Sequence, residues 1–450
     1  MKSNPWIASY LVGDSPSRYS HLEFRAKAQR IQGDSVAARA EVLRCAMGDV
    51  FLCGEQISLL LDKLLGIGEA HAISHYSPSR PAIQPMYSLR PWGETTQPAV
   101  MLTGLAGTGK TQLLQAMKRF FCDRVGTADL PAHRNLPVLP AWFMSLKDGT
   151  TLNTLLGPCV FPTDADVEVE VKKEKSPNQS QLLQIASRVS RRDGTCIIFL
   201  DEFQFISSGT DANARAMNLL LQMIGIGPRV VYVANFSLAR RLKKRRPEER
   251  HRVLTNHLEL LPDELDSSDF GAYIYELTQI VPDDFRFDVV EIAGLIHRYS
   301  FGIKRAVVEL MVGAWAHAKT RRGERADVAE SDVRAAYASS AYTSHRSDVE
   351  ALWRHSVGDR SIDPDLLNPL HVDNLAGTVV VAQAAIDNFN QRVNERHVEG
   401  MLTPSERDVL SKLSPQKKTT VAGGTLRPLR KGAGSKDSLL SAFDRVAKDL

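Results

Sequence analysis

The chain has 450 residues, of which 43% are hydrophobic and 24% charged, and these proportions exclude global disorder. Its formal net charge of +4 is too small to indicate a nucleic-acid partner by itself, so a basic patch must be sought locally. No apolar run reaches the ~18–20 residues of a membrane span, no signal-peptide core follows Lys2, and the five cysteines lack metal or disulfide spacing. We therefore expect a cytoplasmic protein without a membrane partner.

The predicted elements divide the chain into four regions. Residues 1–90 are predicted to be a mostly helical extension, with apolar residues at helical spacing between Leu22 and Leu65. Residues 91–265 alternate helices with five short apolar runs, at 99–104, 138–146, 196–201, 230–235 and 257–262. Runs that are apolar on both faces favour a parallel sheet in an α/β three-layer domain. Residues 266–345 are predicted to be all-helical, and residues 346–450 a C-terminal extension whose basic tail, 414–436, is predicted to be flexible.

A phosphate-binding loop follows the first apolar run. The candidate nucleotide-binding residues fit G-x-x-x-x-G-K-[ST] in full: Gly104, Leu105, Ala106, Gly107, Thr108, Gly109, Lys110 and Thr111. Glycines let backbone N–H groups surround phosphates, and the amphipathic helix that follows adds its positive N-terminal end. Lys110 can reach the β- and γ-phosphates of ATP, and the Thr111 hydroxyl can hold Mg²⁺. The strand before and the helix after this loop argue against a chance glycine-rich turn.

Two later strands end in polar residues suited to phosphate chemistry. Asp201 and Glu202 close the third run, where ligands bind to parallel sheets. We assign Asp201 to Mg²⁺ and Glu202 to polarisation of the attacking water. Asn235 closes the fourth run and either contacts the γ-phosphate or the water, or simply caps the strand.

These motifs, in this order, resemble the AAA+ superfamily over about residues 90–340. The resemblance implies a five-stranded sheet of order 5-1-4-3-2 followed by a helical lid. It implies the sensor 1 role for Asn235 and the sensor 2 role for Arg305 at the start of a lid helix, with Lys304 as the rival. An exposed helical charge is the alternative interpretation of Arg305.

The segment after the fourth strand, NFSLARRLKKRRPEERHRVLTNHLELLPDELDSSDF, is similar to the TnsC and TniB regulators of DNA transposition. The resemblance implies an ATP-dependent ring or filament of identical subunits on double-stranded DNA. It also implies that the assembly links a target-selection protein to the transposase and that ATP hydrolysis causes disassembly. The long helical N-terminal block and the basic tail are then candidate surfaces for those partners.

The same resemblance locates the DNA-facing loops after the second strand. The candidate phosphate contacts there are Lys147, Thr150, Thr151, Lys172 and Lys173. Because glutamates lie among these lysines, a solvated mixed-charge loop is the alternative. The basic run Arg240–Arg246 is predicted to be a helix that presents a trans-acting arginine, Arg245 or Arg246, to a neighbouring subunit. A DNA patch or a solvated face would explain the same charges.

Two other function classes share these residues. A DNA motor or clamp loader in replication or repair would use every residue of the same ATP site. A STAND-type signalling switch would bind nucleotide with slow or absent turnover, although no C-terminal repeats favour it.

Overall fold

The computed structural model describes residues 4–13, 15, 17–76, 97–130, 133–146, 150–160, 177–203, 212–356 and 363–370. All of them belong to the first of the chain's two units, Met1–Val372. The predicted flexible tail, 414–436, lies outside the described residues. In the described part of the chain, no helix combines the length and apolar character that crossing a membrane requires.

A parallel five-stranded sheet forms the centre of the fold. Its strands are β1 (Val100–Gly104), β4 (Ala141–Ser145), β5 (Ile197–Asp201), β6 (Arg229–Asn235) and β7 (Asn256–Glu259), in the order β4-β5-β6-β1-β7. Every neighbouring pair is parallel, with Gly104 beside Asn235 and Ser145 beside Asp201 in register. This confirms the predicted α/β class, and it brings the carboxyl ends of the strands to one edge.

A two-stranded antiparallel hairpin, absent from the sequence prediction, precedes β4. It consists of β2 (Gly126–Leu130) and β3 (His133–Val138). The predicted single run 138–146 is therefore wrong: Val138 ends the hairpin, and only Ala141–Ser145 enters the central sheet. Pro140 lies between the two strands, where its missing N–H prevents one continuous ladder.

Helices cover both faces of the sheet. They are α1 (Pro5–Ala8), α3 (Glu55–His75) and α4 (Lys110–Cys122) on one face, and α5 (Leu152–Val160), α6 (Gln179–Arg192), α7 (Ala212–Ile224), α8 (Phe236–Lys243) and α9 (Pro247–Leu254) on the other. Successive strand residues point to opposite faces, so Leu102 packs towards α3 and α4 while Met101 packs towards α7 and α8. Both layers are apolar because neither face of the sheet meets water.

A second, all-helical core follows the sheet. It contains α10 (Ser268–Thr278), α11 (Val289–Ser300), α12 (Lys304–Arg322), α13 (Glu330–Ala338) and α14 (Thr343–Ser356), which we call the helical part. Side chains of Ser267 and Asp288 accept N–H groups at the starts of α10 and α11, which fixes where these helices begin.

The predicted N-terminal helical block contributes to both cores. α2 (Val36–Gly48) packs Leu43 and Met47 into the helical part, whereas α3 completes one layer of the sheet. The helical prediction fails just after Leu22, because Phe24 instead forms an isolated antiparallel bridge with Phe51. The N-terminal block is therefore divided between the two cores.

The sequence predicted a single helix for the basic run Arg240–Arg246, and this prediction is wrong. α8 ends at Lys243, and α9 begins at Pro247 after a short turn. Pro247 disfavours helical geometry for the preceding residue, and Arg246 accordingly has extended ψ at 147°. Arg240 thus lies in the last turn of α8, while Arg245 and Arg246 lie outside it.

Candidate nucleotide-binding site

The loop between β1 and α4 has the backbone shape of a phosphate cradle. Gly107 and Gly109 adopt φ of 86° and 104°, a region that favours glycine. A Cβ on Gly107 would stand 2.7 Å from the Cβ of Arg305, and one on Gly104 would stand 2.3 Å from the Leu260 carbonyl oxygen. The loop therefore has no room for side chains at these positions.

Lys110 is held inside this loop. Its side chain is buried, and Nζ donates to the carbonyl oxygens of Gly104 at 3.0 Å and Leu105 at 2.6 Å. Burial, assisted by the charge of Arg305, lowers the pKa of Lys110 to about 8. Anionic phosphates would favour the protonated ammonium form of Lys110. The loop therefore holds a cation where nucleotide phosphates would bind.

Asp201 and Glu202 lie across the sheet edge from the loop, as predicted. Thr111 hydrogen-bonds to the Asp201 carboxylate, which also accepts the Glu202 N–H at 2.8 Å. Burial raises the pKa of both carboxyl groups above their usual values, and the charge of Asp201 adds to the rise at Glu202. Glu202 has φ of 57°, a left-handed conformation unusual for a non-glycine residue, and such strain concentrates at functional sites.

Residues of β6 and α12 complete the edge. Asn235 lines the same cavity as Lys110, and its neighbour in register is Gly104. The Arg305 backbone N–H donates to the Gly107 carbonyl oxygen at 3.1 Å. The rival, Lys304, also lines the cavity, but its Nζ lies 4.0 Å from Asp263. The charge of Arg305 acts on both Lys110 and Glu202, which makes Arg305 the candidate cation of the helical part at this site.

The cavity between the sheet and the helical part has a volume of about 570 Å³, within the usual range for small-molecule sites. Sequence reasoning missed part of its lining: Arg44, Gly48, Gln112, Tyr273 and Glu309. Arg44 Nε lies 3.0 Å from both carboxylate oxygens of Glu309, joining α2 to α12 across the cavity. No motif marks these residues, because packing alone brings positions far apart in sequence together.

The residues present fit ATP and Mg²⁺. The glycine cradle and the buried Lys110 suit a triphosphate, because backbone N–H groups and an ammonium group can both bind phosphate oxygens. Thr111 and Asp201 offer hard oxygen donors, and Mg²⁺ usually takes only one or two protein ligands beside water and phosphate. A third carboxylate is therefore not needed.

Other predicted site residues lie away from this cavity. Arg245 pairs with Glu249 at 2.9 Å, and Arg246 is exposed at the start of α9. Thr150 and Thr151 precede α5, where the Thr151 hydroxyl accepts the Thr154 N–H at 3.3 Å. The three predicted DNA-contacting lysines, Lys147, Lys172 and Lys173, lie outside the described residues.

One family model matches the part of the chain that contains the phosphate loop. Residues 88–234 match the family model described as an AAA ATPase domain, and no match was found among curated proteins. Of the solved structures, the chain is similar to Cdc6p from Pyrobaculum aerophilum, with 15% identity and a TM-score of 0.36 over 53% of this chain and 60% of that one. It is similar to the Aeropyrum pernix Orc1 protein in complex with DNA, with 20% identity and a TM-score of 0.36 over 63% and 68%. It is also similar to a Walker-type ATPase of Pyrococcus abyssi, with 13% identity and a TM-score of 0.39 over 75% and 80%.

The chain spans 60% of the length of the first of these structures. The match at 88–234 spans the phosphate loop, the acidic pair and most of β6. Residues 88–234 are therefore similar to an AAA ATPase domain.

Proposed function

We propose that this chain is an ATPase and acts as an ATP-dependent, sequence-nonspecific double-stranded DNA-binding regulator of DNA transposition. Identical subunits would assemble on target DNA and link a target-selection protein to the transposase, and hydrolysis would cause disassembly. The observation that carries the ATP dependence is the contact of Arg305 with the phosphate loop at Gly107. Since the γ-phosphate would lie beside both, its loss can change how the sheet and the helical part meet.

The hydrolytic roles follow from the positions of the side chains. Mg²⁺, when bound, neutralises phosphate charge and orients the oxygens of ATP, and Thr111 and Asp201 would hold it. Lys110 binds the β- and γ-phosphates, and Asn235 and Arg305 stabilise the γ-phosphate end. Glu202 accepts a proton from the attacking water, and its raised pKa makes it a stronger base than an ordinary carboxylate.

The finer fold assignment is also a proposal. The sheet order β4-β5-β6-β1-β7 has the pattern that the AAA+ resemblance implies, and α10–α14 follow the sheet as a lid would. The resemblance of residues 235–270 to the transposition regulators supports the narrower role. We also propose four functional divisions of the chain: residues 1–90, 91–265, 266–345 and 346–450.

DNA contact is proposed for the loops after β4. Thr151 is exposed, and Thr150 precedes it at the same end of α5. Together with Lys147, Lys172 and Lys173 they would bind phosphates without reading bases, which predicts binding that weakens as salt rises.

Arg245 and Arg246 are proposed as the trans-acting arginines. Neither lines the cavity of its own subunit, and both follow the turn after α8. A subunit with Arg245→Ala and Arg246→Ala should lose ATPase activity alone and regain part of it when mixed with Lys110→Ala subunits. Arg252→Ala, on the exposed side of α9, is the matched control and should stay active. Absence of recovery in assembled mixtures would leave these arginines as surface charge.

Electron microscopy tests the proposed assembly. The full chain with a long duplex and a non-hydrolysable ATP analogue should form rings or a filament along the DNA, and Lys110→Ala should not. Reconstitution with nicked and blocked duplexes separates the motor alternative, because a motor would translocate or unwind. Monomers alone under these conditions, with analogue binding verified, would contradict the proposal.

A further inference from the structure

Residues 363–370 lie against the last turns of α8. Arg240 Nη1 lies 2.6 Å from Asp365 Oδ1, and its Nη2 donates to the carbonyl oxygens of Pro364 and, at 3.3 Å, Leu367. Lys243 Nζ donates to the Pro369 carbonyl oxygen at 2.7 Å. Two cations of α8 therefore bind four acceptors along residues 363–370, which we call the strap.

The two halves of the strap pack against different cores. Leu366 packs against the apolar cluster that contains the core of the helical part and Phe236 of α8, whereas Leu370 packs against the core between the sheet and its covering helices. α8 spans the same boundary, since Phe236 belongs to the helical core and Leu242 to the sheet core. The strap thus bridges the two bodies that enclose the nucleotide cavity.

Among the described residues, the segment between β7 and α10 also connects the two cores, as does the segment between α2 and α3. In the segment between β7 and α10, the Asp263 N–H donates to the Gly302 carbonyl oxygen at 3.1 Å, and His297 hydrogen-bonds to the Asp263 carbonyl oxygen at 3.0 Å. The strap comes from the far end of the helical part, after α14. It is therefore separate in sequence from both of these connections.

The strap is held by contacts that can be exchanged with water. The side chains of Arg240 and Asp365 are 26% and 58% exposed, so their ion pair is only moderately strong. The buried Nδ2 of Asn368 has no hydrogen-bond partner among the described residues. Its desolvation offsets part of the free energy by which the other contacts stabilise the strap. Leu366 and Leu370 are only partly buried. These features suit a releasable tie rather than a permanent part of the core.

We propose that the strap restrains the separation of the helical part from the sheet and so slows the release of nucleotide from the cavity. Arg240 is its anchor on α8, and Leu366 is its anchor on the helical part. Loosening either end lets Arg305 move away from the phosphate loop. The proposal uses only the ATPase site and is independent of the proposed role on DNA.

Stopped-flow release of a fluorescent ADP analogue from the full chain, without DNA, tests this proposal. Asp365→Ala removes the ion pair, and Leu366→Ala separately removes the apolar anchor without changing charge. Each should speed dissociation about three- to tenfold, the range expected for one exposed ion pair with its hydrogen bonds or one partly buried leucine.

Glu330→Ala is the matched control, because it removes an exposed ion pair with Arg334 within α13 alone. It should release ADP at the wild-type rate. Wild-type release by both strap variants, with folding verified by circular dichroism, would overturn the proposal. Equal acceleration by Glu330→Ala would overturn it too, because the effect would then not depend on the bridge.

Discussion

Nucleotide affinity should depend on pH through Lys110. In the nucleotide-free chain burial lowers the pKa of this ammonium group to about 8. Phosphate binding favours the charged form, so the pKa of Lys110 must rise in the complex. Below pH 8 the free chain already carries the proton and affinity should be flat. Above pH 8 binding must take up a proton, and affinity should fall as pH rises.

The size of the effect follows from the pKa value. Between pH 7 and pH 9 the protonated fraction of free Lys110 falls from about nine-tenths to about one-tenth, so Kd should rise about tenfold, or ~1.4 kcal/mol. Proton uptake on binding should rise from about 0.1 to about 0.9 per nucleotide over the same interval.

Isothermal titration calorimetry in two buffers of different ionisation enthalpy measures both quantities. Lys110→Arg is the control, since guanidinium stays charged throughout this range and should abolish the extra uptake. If that variant does not bind, proton uptake by the wild-type chain still decides the matter. Equal affinity and negligible proton uptake at pH 7 and pH 9 would refute the reasoning about the buried ammonium.

The remaining predictions concern catalysis, the loop and the cavity wall. Glu202→Gln should retain ATP binding but lose at least about 100-fold in hydrolysis rate, measured by phosphate release, because an amide cannot accept the proton; wild-type turnover would contradict its assignment. Gly107→Ala should weaken nucleotide binding at least about tenfold in a titration, since the new Cβ meets α12 and the backbone is left-handed. Gly126→Ala is the control and should bind normally, because the space around Gly126 is open. Arg44→Ala should raise the Kd for nucleotide about three- to tenfold by leaving the Glu309 carboxylate unpaired in the cavity. Adding Glu309→Gln should restore part of the affinity. An unchanged Kd in Arg44→Ala would show that this pair does not contribute to the site.

The sequence predicted the parts of the site that are local. The phosphate loop is eight adjacent residues, so its motif alone is enough to predict it. Asp201 and Asn235 each end a continuous apolar strand, so the apolar pattern of the strand is enough to predict their position. The parallel order of the strands then brings these ends together. Arg44 could not be predicted, because it reaches the cavity only through the packing of α2 on α12.

Two errors in predicted elements have local causes. The end of α8 was marked by Pro247, but the continuous run of basic residues before it suggested one helix. The sequence pattern did not predict the hairpin β2–β3, because β2 is mostly exposed and shows no regular alternation of apolar residues. In both places side-chain character was a weaker guide than backbone restrictions and tertiary packing.

We expect bound ATP to switch the chain into a DNA-binding assembly. Fluorescence anisotropy of a labelled duplex, titrated with the Glu202→Gln chain in ATP, in ADP and without nucleotide, tests it most directly. We predict tight binding with ATP alone, equal for scrambled duplex sequences and weaker as salt rises. Binding that is equally strong in ADP or without nucleotide, or no binding with ATP bound, would contradict the account.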